Sequence, residues 1–116
     1  MTKKEYNLKF KSHIDECKVD FDMLIQGYAL LDKQVSKYAY LKKKYANSGK
    51  TNESNIYEFN TAIQKRNAIE KVLKSECKLT VKDIKNCIDG IDVVITHSNC
   101  DELVELVKSD FFKLVT

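Results

Sequence analysis

The stretch FKSHIDECKVDFDMLIQGYALLDKQVSKYAYLKKKY, residues 10–45, decides how this chain is read. Its apolar residues fall at alternating steps of four and three: Phe10, Ile14, Cys17, Phe21, Leu24, Tyr28, Leu31, Val35 and Tyr38, then Tyr45 after Lys42. That alternation keeps one stripe of an α-helix buried along its whole length. It predicts a single helix from near residue 3 to about Ala46, with a seam on the order of 54 Å long.

The seam is too bulky for a two-stranded zipper. Phe10, Phe21, Tyr28, Tyr38 and Tyr45 occupy positions where a parallel dimer takes branched aliphatics. Leu8, Ile25, Ala29, Leu30, Ala39 and Leu41 widen the apolar stripe, so more than one helical neighbour is needed. Outward from the stretch, Asn47-Ser48-Gly49-Lys50-Thr51-Asn52 is a cluster of turn formers, and a second helix is expected over about 53–78. Thr80 and Asp83 form a capping box that opens a third helix bearing Val81, Ile84, Ile88 and Ile91. Its end, Ile91-Asp-Val-Val-Ile95, is β-branched enough to fray or extend. Thr96–Asn99 reads as a polar break and Asn99 as the cap of a last helix running to about Leu114.

The expected fold is therefore all-α: a long antiparallel helical hairpin, coiled-coil-like, over 3–78, with two shorter C-terminal helices over 79–116 completing a three- to four-helix bundle. Folding the second helix back about Gly49 leaves residues 3–20 overhanging. Phe10, Ile14 and Cys17 must then be covered by the C-terminal helices or by a second subunit, because exposed apolar area costs about 25 cal/mol per Å². A homo-oligomer with contacts at those three residues is one expectation.

Composition supports a single helical domain of 116 residues. There is no proline, and only three glycines interrupt the chain. No apolar run approaches the length of a membrane span, and the basic N-terminus is followed by no apolar signal segment. A cytoplasmic location with four reduced cysteines is the default reading. Abundant lysine, asparagine and isoleucine suggest an AT-rich genome, such as that of a phage, a virus or a low-GC bacterium.

The clearest surface feature is the tip of the hairpin. Between Lys33 and Lys50 there are six lysines, three tyrosines and no acid. Lys37, Tyr40, Lys42, Lys43, Lys44 and Lys50 are the candidate contacts to a partner: lysines neutralise phosphate, and exposed tyrosines stack on bases. The other reading makes two of the tyrosines core and the lysines a solvated face.

Chemistry finds less support. His13 with Cys17 and His97 with Cys100 have the spacing of zinc-ligand pairs, but the fold-back places the second pair roughly 15–20 Å from Cys17, and cysteines on a seam are usually packing. Gly49-Lys50-Thr51 lacks the preceding glycine and strand of a phosphate loop. An acidic final helix, with Asp101, Glu102, Glu105 and Asp110, makes a poor reader of DNA. No catalytic residue, cofactor or metal is expected. The functional expectation is a non-enzymatic protein that binds and modulates another protein, with a phage- or virus-encoded host-interaction factor as one setting. The alternative is a nucleic-acid-binding protein that uses the lysine–tyrosine tip.

Overall fold

In the computed structural model, which describes residues 2–49 and 53–115, the chain is mostly helical. The elements in order are α1 (Lys3–Asp15), β1 (Lys18–Asp20), α2 (Phe21–Asn47), α3 (Glu53–Ser75), α4 (Val81–Ile88), α5 (His97–Lys108) and β2 (Lys113–Val115). No helix among the described residues is long and apolar enough to cross a membrane.

The single helix expected over 3–46 is broken at Glu16–Asp20. Cys17 adopts a left-handed backbone, φ 58°, just past the C-cap of α1, where glycine is usual. Its carbonyl accepts a hydrogen bond from the Lys113 N–H at 2.7 Å. The strand β1 then pairs in parallel with β2, placing Lys18 opposite Lys113, Val19 opposite Leu114 and Asp20 opposite Val115. Asp20 starts the next helix, its carboxylate accepting from the Met23 N–H at 2.8 Å. Strand pairing and this cap thus replace helical bonds that the break gives up. The apolar pattern is redistributed with them. Val19, off the seam, is fully buried, whereas the seam residue Phe21 is 43% exposed.

Beyond the break, α3 runs back along α2. The Tyr28 hydroxyl donates to the Glu70 carboxylate at 3.4 Å, and the Arg66 guanidinium donates to Asp32 at 2.7 Å. Further out, the Lys42 ammonium sits 5.3 Å from the centre of the Phe59 ring. Close approach at the inner end depends on Gly27, where a Cβ would lie 2.6 Å from Leu103 Cδ2 and 3.0 Å from Ile69 Cδ1.

The C-terminal third closes over this inner end. The Thr80 hydroxyl accepts from the Asp83 N–H, and the Asp83 carboxylate accepts from the Thr80 N–H, so the expected capping box opens α4. Residues 91–96 leave the helix and lie extended across α2, as their β-branched composition allows. The buried Gln26 side chain holds them: its Nε2 donates to the Asp92 carbonyl at 2.9 Å, and its Oε1 accepts from the Val94 N–H at 2.9 Å.

The boundaries expected for the last helix need correction. Thr96 caps α5, its hydroxyl accepting from the Asn99 N–H at 3.1 Å, and the helix begins at His97 rather than after Asn99. It also stops at Lys108, where the Ser109 hydroxyl turns back onto the Leu106 carbonyl at 2.7 Å. Leu114 consequently lies in β2, and Phe111, within the span expected to be helical, is 78% exposed. The core gathers Phe10, Val19, Leu24, Tyr28, Leu31, Ile69, Leu73, Ile84, Ile95, Leu103 and Val104, all near one end of a molecule measuring 48 × 30 × 29 Å.

Candidate functional site

The distribution of burial along α2 and α3 defines the candidate site. On α2 every residue from Met23 to Ala29 is buried, and the last buried position is Leu31; on α3 the first is Ala62. The outer parts of the two helices therefore form an arm whose residues pack on one another and on little else. Val35, Tyr38, Leu41 and Tyr45 on α2, and Ile56, Phe59 and Ile63 on α3, are half-buried. This is the outer section of the heptad seam, only partly covered.

Tyr40 and Tyr57, at 66% and 68% exposed, carry the aromatic surface of the arm. Lys33, Lys37, Lys42, Lys43 and Lys44 are exposed on the same arm, and none forms an ion pair with a carboxylate among the described residues. Lys37 lies 5.6 Å from the Tyr38 ring and Lys42 over Phe59, so two of the lysines rest on aromatic faces. Of the partner contacts expected from sequence, Lys37, Tyr40, Lys42, Lys43 and Lys44 are all exposed on α2, while Lys50 lies outside the described residues.

At the base of the arm is a groove of about 520 Å³ between α2, α3 and the start of α5. Lys33, Gln34, Lys37, Tyr38, Glu58, Thr61, Lys65, His97 and Asp101 line it. Lys65 donates to Asp101 at 2.8 Å, and this hydrogen bond holds the lysine pKa above its ordinary value. The Gln34 amide nitrogen lies 2.7 Å from His97 Nδ1. Sequence spacing offers no sign of this groove beyond Lys33 and Lys37 standing one turn apart. Gln34 and His97 are 63 residues apart in the chain, and only the packing of α5 against α2 and α3 joins them.

The residues expected at an oligomer contact are placed differently from one another. Phe10 is 2% exposed, covered within the single chain, and touches the ring of Tyr6. Ile14 and Cys17 are half-buried. The overhang expected at residues 3–20 is thus met by the protein's own C-terminal segments: Asn7 Nδ2 donates to the Val94 carbonyl at 3.2 Å, and Asn7 Oδ1 accepts from Asn99 Nδ2 at 3.2 Å.

The cysteine and histidine pairs are also placed apart. His13 faces Asp20 across the break, Nε2 to Oδ2 3.7 Å, while its Nδ1 donates to the Lys9 carbonyl at 3.1 Å. Cys100 is buried, with its thiol 3.8 Å from the Gly27 carbonyl. Burial, with the Asp101 carboxylate adding to it, pushes that thiol up to about 12, so it carries no thiolate at neutral pH. Among the described residues no three His, Cys, Asp or Glu side chains come together in a group that could hold a metal ion.

No protein-family model matches this chain, and no curated protein or solved structure matches it.

Proposed function

We propose that this chain is a non-enzymatic helical binding protein, with α2 and α3 acting as a hairpin arm carried on a helical bundle, and that it binds and modulates another protein through the arm. The observation that carries this reading is the exposure of both Tyr40 and Tyr57, each about two-thirds exposed, on an arm with no fully buried residue among the described ones between Leu31 and Ala62. Exposed aromatics are enriched among interface anchors. The five described lysines from Lys33 to Lys44 lack carboxylate partners, which favours an acidic surface on the other protein.

The test is affinity capture from cells of the source organism, with the wild-type chain compared with Tyr40→Ser/Tyr57→Ser and with Lys42→Glu/Lys43→Glu/Lys44→Glu. One protein recovered with the wild type and lost with both variants, at unchanged far-UV circular dichroism, is the expected result. Equal recovery by all three removes the arm from the reading.

A second reading, nucleic-acid binding by the same arm, draws on those lysines sharing the arm with the exposed rings of Tyr40 and Tyr57. It requires that binding of a mixed-sequence single strand fall steeply between about 50 and 200 mM salt, with a slope that shrinks in the triple-lysine variant.

A further inference from the structure

The break between α1 and α2 is poised against a continuous helix written in the same residues. Phe10, Ile14, Cys17, Phe21, Leu24 and Tyr28 keep their four-three spacing straight through it, and neither proline nor glycine occurs from residue 10 to residue 26. What holds the chain bent is the Asp20 cap of α2 and the pairing of three residues of β1 with β2. Cys17 sits in the left-handed region at φ 58°. For a cysteine the left-handed backbone disfavours the bent form by about tenfold. Apolar burial is traded as well: the bend buries Val19 and leaves Phe21 43% exposed. A straight helix would carry Phe21 into line with Ile14, Cys17 and Leu24 and turn Val19 outward.

We propose that a second copy of this chain takes up α1 by exchange. In the exchanged form Glu16–Asp20 becomes helical, α1 and α2 join into one helix from Lys3 to Asn47, and each α1 packs on the α5 of the other copy. The contacts of α1 with the rest of the fold are suited to this. Asn7 bonds the Val94 carbonyl and the Asn99 side chain, and Phe10 fills the core beside Tyr6. All of these contacts re-form unchanged between two copies, the usual reason that exchange across a short hinge is cheap. The losses are the β1–β2 pairing and the Val19 site. The gains are the helical bonds at the hinge, release of the Cys17 backbone, and cover for Ile14, Cys17 and Phe21 where the two straight helices cross. This inference is independent of the arm's partner, since the hinge lies at the other end of α2.

The experiment is refolding of the full chain from denaturant at millimolar concentration in reducing buffer, followed by light scattering. A species of twice 13.4 kDa is expected beside the monomer. In a sample mixing isotope-labelled and unlabelled copies, the dimer should show the Asn7–Asn99 contact between copies, and residues 16–20 should have helical carbon shifts. Cys17→Gly relaxes the bent form and should raise the dimer dissociation constant about a hundredfold, tenfold for each of two hinges. Asp20→Ala combined with Val19→Gln removes the cap and the buried strand residue and should increase the dimer. A 13.4 kDa species alone, in the wild type and in that double variant, overturns the proposal. A dimer whose Asn7–Asn99 contact stays within one copy overturns it too. If the double variant does not fold, equal dimer fractions for wild type and Cys17→Gly overturn it in the same way.

Discussion

At the scale of single residues, three buried positions carry more than their sequence signal suggests. Gly27 lies inside a helix, where alanine would ordinarily stabilise by up to about 1 kcal/mol. Here a Cβ would stand 2.6 Å from Cδ2 of Leu103, a fully buried side chain, and 3.0 Å from Cδ1 of the fully buried Ile69. Overpacking of this kind costs about 1–3 kcal/mol, so Gly27→Ala should lower stability by roughly 1–2 kcal/mol in urea unfolding, the reverse of the propensity effect. Cys100 titrates in a direction that makes a second expectation. Its folded pKa, about 12, lies above the ordinary value of 9.0, so the folded state keeps a proton that the unfolded state releases. Its stabilisation is complete below pH 9 and is lost as pH rises toward 12, at about 1.4 kcal/mol per pH unit. Burial also raises the Tyr6 and Tyr28 hydroxyls, which add alkaline loss of the same sign. Comparing wild type with Cys100→Ala isolates the thiol: the variant's stability should fall less steeply over that window. Gln26 is the third. It is the one polar residue in the buried part of α2, and its amide satisfies both the Val94 N–H and the Asp92 carbonyl. Gln26→Leu leaves them without partners at a cost of about 2–3 kcal/mol, and hydrogen exchange at Val94 should quicken with it.

At the scale of elements, legibility follows the range of the interactions. The Thr80–Asp83 capping box opens α4 because a cap is a hydrogen bond between residues three apart, and spacing reports it directly. The extended run at 91–96 is foreshadowed by its β-branched residues for the same reason. The helix break at Glu16–Asp20 is not legible, because apolar spacing describes one helix considered alone. The pairing of Val19 with Leu114 joins residues almost the whole chain apart. Asp20 has the chemistry of a helix start, but its signal is weaker than the heptad running through it. The start of α5 illustrates a nearer miss: Thr96 and Asn99 are both capable caps, and the extended segment entering from Asp92 selects the earlier one. Thr96→Ala should therefore cost about 1 kcal/mol in stability, whereas Asn99→Ala should act through its bond to Asn7 and loosen α1.

At the scale of the whole molecule, burial separates core from arm. The core occupies the inner end of α2 and α3 with the elements packed on it, and the outer parts of the two helices form the arm. Removing one heptad from each side of the arm, residues 40–46 and 54–60, should leave the melting temperature within a few degrees of wild type by calorimetry and, on the function proposed for the arm, abolish capture of a protein partner. A cooperative loss of the fold on that deletion would show the arm to be part of the core. The residues themselves determined the helical class, the turn near Gly49, the cap of α4 and the basic, aromatic character of the arm, since each depends on composition or on spacing within a few turns. Only tertiary structure decided that the heptad is cut at Cys17, that Phe10 is covered within the chain, and that His97 meets Gln34 in a groove. Those outcomes rest on which distant segments compete for the same apolar face, and a helical period records that a face is apolar without recording what will cover it.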